Sequence, residues 1–146
     1  MDPVAELERT LHDEIPLSQA MGIRVASYDG TSLKLTAPLA PNTNHKSTAF
    51  GGSLYSLAVL CGWSIVHLKL AEAAQHKHIV IQDASIRYLL PVDRDMQAEC
   101  HLDDVTLNNF LRMLAKHGRA RLSLDVIIKL EGRTAVEFSG RYVVHG

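Results

Sequence analysis

The chain is poor in cysteine: Cys61 and Cys100 are the whole thiol inventory of its 146 residues. Both stand in apolar runs, where a buried free thiol is the ordinary outcome and a disulfide framework is not. A charge excess of either sign is also missing. Fifteen Lys and Arg face sixteen Asp and Glu, for a formal net charge of -1. That balance argues against a dominant electrostatic partner such as duplex DNA or an anionic membrane. The opening segment, MDPVAELERTLHDEIP, has neither the basic start nor the apolar stretch of a secretory signal, so a reducing cytoplasm is the expected compartment. A spanning helix needs about 18 to 20 apolar residues. The run from Leu54 to Val66 is shorter and is followed by His67 and Lys69, which predicts a fully buried helix rather than a membrane segment. There is no internal repeat, low-complexity tract or linker, and the length suits one domain over 1–146.

What is present is a clear order of elements. Asp2 and Pro3 read as cap and first position of a helix reaching about His12, with Pro16 ending the region. Two strands follow, 22–28 and 32–37, joined by Asp29-Gly30, a strong hairpin signal. A polar loop from Asn42 to Thr48 leads to Gly51-Gly52, which opens a long helix reaching roughly Ala74. That helix is apolar nearly all round and must therefore be enclosed on all sides. Residues 78–90 and 96–102 read as strands, Thr106 to Lys116 as a short amphipathic helix stopped by Gly118, and the two stretches around Glu131-Gly132 as long strands. The expected fold is α+β: one curved antiparallel sheet wrapped around a long central helix. The long final strands suit a sheet continued across a dimer interface.

This order, with NHKSTAFGGSLYSLAVLCGW (Asn44 to Trp63) and DASIRYLLPV (Asp83 to Val92), resembles the hotdog thioesterase superfamily. More narrowly it resembles the thioesterase family typified by the C-terminal domain of YiiD. The resemblance implies a hotdog fold, hydrolysis of an acyl-CoA or acyl-carrier-protein thioester, no cofactor, and a homodimer or dimer of dimers. In related phenylacetate-pathway and 4-hydroxybenzoyl-CoA-type hotdogs an Asn precedes a His-Gly-Gly at the start of the central helix, with an acid two turns into it. Here the Asn falls on Asn44 and the glycines on Gly51 and Gly52, while the His is replaced by Phe50 and the acid by Val59.

Thioester hydrolysis requires an oriented water, a base, and donors for the oxyanion. Glycines entering a helix offer N–H groups without side-chain obstruction, at the positive end of the helix dipole. Gly51 and Gly52 are thus oxyanion candidates, or they simply allow close packing. Asn44 can hold the water or the thioester oxygen, or is a turn residue like Asn42 nearby. With Val59 at the acid position, Asp83 is the expected base, because it interrupts an Ile-Val-Ile run on a strand that should cross the helix. The alternatives for Asp83 are an ion pair with Arg87 or a switch of face at a bulge. Ser85 follows on the same face. His45 is a second base candidate or an exposed loop histidine. Phe50, Ser85 and Arg87 are expected to line the substrate. Ser56 and Cys61 have no histidine beside them in sequence and read as small core residues.

The cluster Arg112, Lys116, His117, Arg119 and Arg121 is a basic patch in a near-neutral chain. It can serve CoA phosphates or an acidic carrier protein, with Lys116, Arg119 and Arg121 as the contacts, or it is a solvated surface. His67, His76 and His78 have no acid or thiol completing a tight ligand set, so no metal site is expected. The rival from another class is a non-catalytic acyl-CoA-binding or regulatory module, favoured by the missing acid. Phe50 and Val59 count against a dehydratase.

Overall fold

A computed structural model describes residues 2–146. Helix α1 spans Pro3–Glu14, with the Asp2 side chain accepting the Val4 N–H. Pro16 does not end the region: it occupies the first position of a second short helix, α2, Pro16–Ala20, as its fixed φ and missing N–H allow. Strands β1 (Arg24–Tyr28) and β2 (Ser32–Ala37) form the expected hairpin, in which the Asp29 carboxylate accepts from the N–H groups of Thr31 and Ser32. The long helix α3 is Gly51–Glu72. It is followed by β3 (His78–Tyr88), β4 (Met96–His101), α4 (Asp104–His117), β5 (Arg119–Leu130) and β6 (Arg133–His145). Glu131 and Gly132 both take positive φ, 51° and 77°, at the β5–β6 turn, the geometry that matches the twist of paired strands.

The six strands form one antiparallel sheet in the order β1-β2-β4-β5-β6-β3. Alternation along β5 and β6 sends Leu122, Leu124, Val126, Phe138 and Tyr142 inward. They meet Leu57, Ala58, Cys61 and Ile65 of α3 in a single buried cluster. By length and composition α3 can cross a bilayer, but its own sheet covers most of it. The enclosure is not complete, and this corrects the expectation from its all-round apolarity. Tyr55, Ser56, Val59, Trp63 and His67 remain partly exposed along one stripe of the helix, at the i, i+4 spacing that puts residues on one face. The Trp63 indole N–H donates to the Ile79 carbonyl at 3.3 Å, so this stripe runs beside β3, an edge strand of the sheet.

Candidate active site

The N-terminus of α3 is built to leave donors unmet. The carbonyl of Phe50, the cap residue, accepts the N–H groups of Ser53 and Leu54 at 2.9 and 3.1 Å, and no side chain caps the helix. The N–H groups of Gly51 and Gly52 have no hydrogen-bond partner among the described residues. They sit at the positive end of a helix of 22 residues. A methyl on Gly52 would lie within 3.0 Å of the Phe50 ring, whereas one on Gly51 would make only ordinary contact with the Tyr88 ring, at 3.4 Å. The Tyr88 hydroxyl donates to the Gly51 carbonyl at 2.9 Å. Phe50 and Tyr88 are both more than half exposed, so two aromatic rings flank the free amides. Tyr88 was not expected as a site residue. Its signal in the sequence is an aromatic inside the segment Asp83 to Val92 that carries the resemblance, but its contact with Gly51 depends on how β3 crosses α3.

The loop before the helix is rigidly tied. Asn42, expected to be an ordinary loop residue, is buried: its side-chain nitrogen donates to the Met21 and Pro38 carbonyls, and its backbone carbonyl accepts the Phe50 N–H. The Asn44 side-chain oxygen accepts from the N–H groups of Lys46 and Thr48, and its nitrogen donates to Thr48 Oγ1 at 2.8 Å. Asn44 therefore closes a tight turn in which Ser47 takes φ 61°, leaving one amide hydrogen for a ligand. His45 lies exposed in this turn.

Asp83 does not have the apolar surroundings expected of it. The β3–β6 register shifts between Ile81 and Asp83, and this bulge carries Asp83 to the sheet face away from α3. There it is exposed and ion-paired with Arg141 at 3.3 Å. A bulge inserts one residue and reverses the alternation beyond it. Ser85 and Arg87 share the outer face, and Arg87 pairs with Glu137 at 3.8 Å. Ser56 donates to the Gly52 carbonyl at 2.9 Å, and Cys61 is fully buried, its thiol pKa pushed up by that burial. Neither is arranged as a nucleophile.

The basic cluster is at the other end of the sheet. His117, Arg119 and Arg121 line a surface depression with Gln82, Met113 and Val143, and Lys116 is exposed nearby. Arg119 is in register with His145, which pairs with His78 at the start of β3, whereas Tyr88 at its end touches Gly51. At roughly 3.3 Å per residue, β3 separates these ends by about 30 Å. One chain does not bring the cluster to the glycine amides.

A curved antiparallel sheet around a long helix, with unmet amides at the helix start, defines a hotdog-fold protein of the thioesterase kind. The chain belongs to the putative thioesterase family (yiiD_Cterm), whose model matches residues 4–146. It is 38% identical to a protein of unknown function from Chlorobaculum tepidum, with a TM-score of 0.93 over 97% of this chain and 93% of that one. It is 32% identical to a putative thioesterase from Shewanella oneidensis, with a TM-score of 0.86 over 99% and 98% of the two chains. The Escherichia coli PaaI protein of phenylacetic acid degradation shares the fold alone, at 16% identity and a TM-score of 0.67 over 99% of this chain and 94% of that one. Family membership supports thioester hydrolysis as the general activity.

Proposed function

We propose that the protein hydrolyses an acyl-CoA or acyl-carrier-protein thioester to the free acid and thiol, in the cytoplasm, as a homodimer or dimer of dimers. The observation that carries this is the pair of unpartnered Gly51 and Gly52 amides between Phe50 and Tyr88. Two N–H donors at a helix start suit the oxyanion that forms when water attacks the thioester carbonyl. The C–S bond then breaks, and the proton removed from water ends on the leaving thiolate. The spare Asn44 amide hydrogen is assigned to the water.

Two groups are candidates for the base. His45 is exposed in the loop that leads into α3, whereas Asp83 already engages Arg141 on the outer face; this favours His45. His45→Ala is then expected to lower turnover with little change in KM, and Asp83→Asn to leave it nearly intact. The reverse pattern returns the role to Asp83.

A second copy accounts for the open stripe of α3 and the unpaired edge of β3. Two such edges paired antiparallel about a two-fold axis place the basic end of one copy beside the glycine amides of the other. Lys116, Arg119 and Arg121 then meet phosphates or an acidic carrier, with Ser85 and Arg87 on the adjoining face. Charge reversal at Arg119 and Arg121 is expected to weaken CoA binding, most at low salt. A stable monomer in light scattering at micromolar concentration rules this arrangement out.

The deciding assay is thiol release across short, long and aromatic acyl-CoAs. The second reading, an acyl-binding module without turnover, is favoured by Phe50 and Val59 at the usual base and acid positions and by the commitment of Asn44 to its own turn. Flat traces with tight acyl-CoA binding would select it.

A further inference from the structure

Just inside the glycine amides, the space between α3 and β6 is filled by aromatic rings. Tyr55, one turn into the helix, meets Phe138 edge-on, with ring centroids 5.7 Å apart at 81°. The Phe138 ring lies across Gly140, where an added methyl would approach it to 2.8 Å and Ile81 to 3.2 Å. Deeper in, Tyr142 is fully buried, and its hydroxyl donates to the Val59 carbonyl at 2.7 Å. Gly62 makes room for it, since a methyl there would fall within 3.0 Å of the Tyr142 ring and hydroxyl. Neither Gly62 nor Gly140 has a positive φ. Their bare backbones are therefore explained by the rings they admit, not by a turn. Phe138 is 3% exposed and Tyr142 0%, and moving either ring breaks packing that the glycines exist to permit. The other way along the helix, its outer stripe, meets Trp63. That side chain is held by the Ile79 carbonyl and by stacking on His67, ring centroids 5.0 Å apart.

We propose that Phe138 and Tyr142 form a fixed plug beneath α3, with Tyr55 of the helix packed against its outer ring, that restricts the substrate to short acyl groups, which stay at the helix start and do not pass between helix and sheet. The proposal rests on the thioester reading of the Gly51–Gly52 amides and names the substrate class of that site. Phe138 is its specificity-determining residue. It is buried against Tyr55, one turn into α3, and its removal opens space without breaking a hydrogen bond.

The test uses the full-length protein with non-hydrolysable thioether analogues of acetyl-, butyryl-, hexanoyl-, octanoyl-, lauroyl- and palmitoyl-CoA. Affinities come from calorimetry, with thiol release from the matching thioesters measured in parallel. The wild type is expected to bind butyryl or hexanoyl best and palmitoyl roughly tenfold or more weakly. Phe138→Ala should raise octanoyl affinity relative to butyryl by roughly tenfold, the effect of about two further methylenes gaining a buried place. If that variant does not fold, Phe138→Leu should move the preference in the same direction by less. Wild-type affinity rising steadily through palmitoyl overturns the plug, as does a folded Phe138 variant with an unchanged chain-length profile. Short-chain preference in binding with no thioester cleaved supports the plug while removing the hydrolase reading. Failure to bind any analogue removes both.

Discussion

The two ends of α3 are built on opposite plans. At its start, two glycines leave amides without partners among the described residues, and two exposed aromatic rings stand beside them. At its end, the polar side chains of Lys69, Glu72 and Tyr28 are matched to one another. Lys69, only 8% exposed, donates to the Gly30 carbonyl in the β1–β2 turn and reaches Glu72 at 3.2 Å. Its ammonium lies 5.7 Å from the centre of the Tyr28 ring. The Tyr28 hydroxyl donates to the other Glu72 oxygen at 2.5 Å, and burial with that bond pushes its pKa up. A cation near a helix C-terminus also complements the helix dipole. The anchored end holds the helix in the sheet, and the open end can then carry unmet donors, which are costly where they are sealed from water. Substitutions at each end should separate turnover from stability.

The largest effect is expected from Gly51→Pro. Proline is accepted at the first helical position, and Phe50 before it is already extended at φ -64° and ψ 134°. The substitution removes one amide donor and keeps the helix start. If that N–H serves the oxyanion, turnover should fall by about 10² to 10³, with the melting temperature held or slightly raised. Full thioesterase activity in Gly51→Pro would mean that the open end is not the reaction centre.

Next in size is Lys69→Met at the anchored end. It leaves the Gly30 carbonyl without its ammonium donor in a partly buried place, at a cost of about 1–3 kcal/mol, while the half-exposed Glu72 carboxylate turns to water. Urea denaturation should show this loss, while turnover per folded molecule stays within about twofold of wild type. Equal losses of turnover at both ends would dissolve the division of labour. Tyr28→Phe removes the hydroxyl bond to Glu72 and the longer contact with the Gly30 carbonyl and should cost less, about 1–2 kcal/mol, with turnover again unaffected.

How much of this was legible in the sequence differs from element to element. Alternation in β5 and β6, the Asp29-Gly30 and Glu131-Gly132 turns, and the apolar length of α3 led to the sheet-around-helix fold, because each is a local signal with a fixed period. Of the readings open for Asp83, the structure takes the switch of face at a bulge, between Ile81 and Asp83, and pairs the carboxylate with Arg141 rather than Arg87; the run Ile-Val-Ile fits either face, because the register against β6 decides it. Pro16 carries no direction of its own, because proline ends and begins helices alike; only the chain direction after it decides. Asn44 matched a family position, yet its side chain is largely used by the Thr48 turn. The nearness of Tyr88 to Gly51 and the remoteness of Arg119 are long-range facts of strand register, which spacing along the chain does not carry.

The smallest expected effect concerns His67, on the open stripe between the two ends. Its ring stacks on Trp63 at an interplanar angle of 10°, and burial lowers its pKa, opposed in part by Glu14 and Glu6. A folded-state pKa below the unfolded value, about 6.5, means that the unfolded chain takes up the proton first as the solution is acidified. The stability that neutral His67 contributes is therefore complete above about pH 6.5 and is lost as pH falls through the folded pKa. His67→Gln has no such group, so wild type should lose stability relative to this variant on acidification through that window. Urea denaturation of both proteins across it makes the measurement. Curves that run parallel from neutral to acid would show that His67 titrates alike in both states, and that the stripe is more open to water than the Trp63 stack implies.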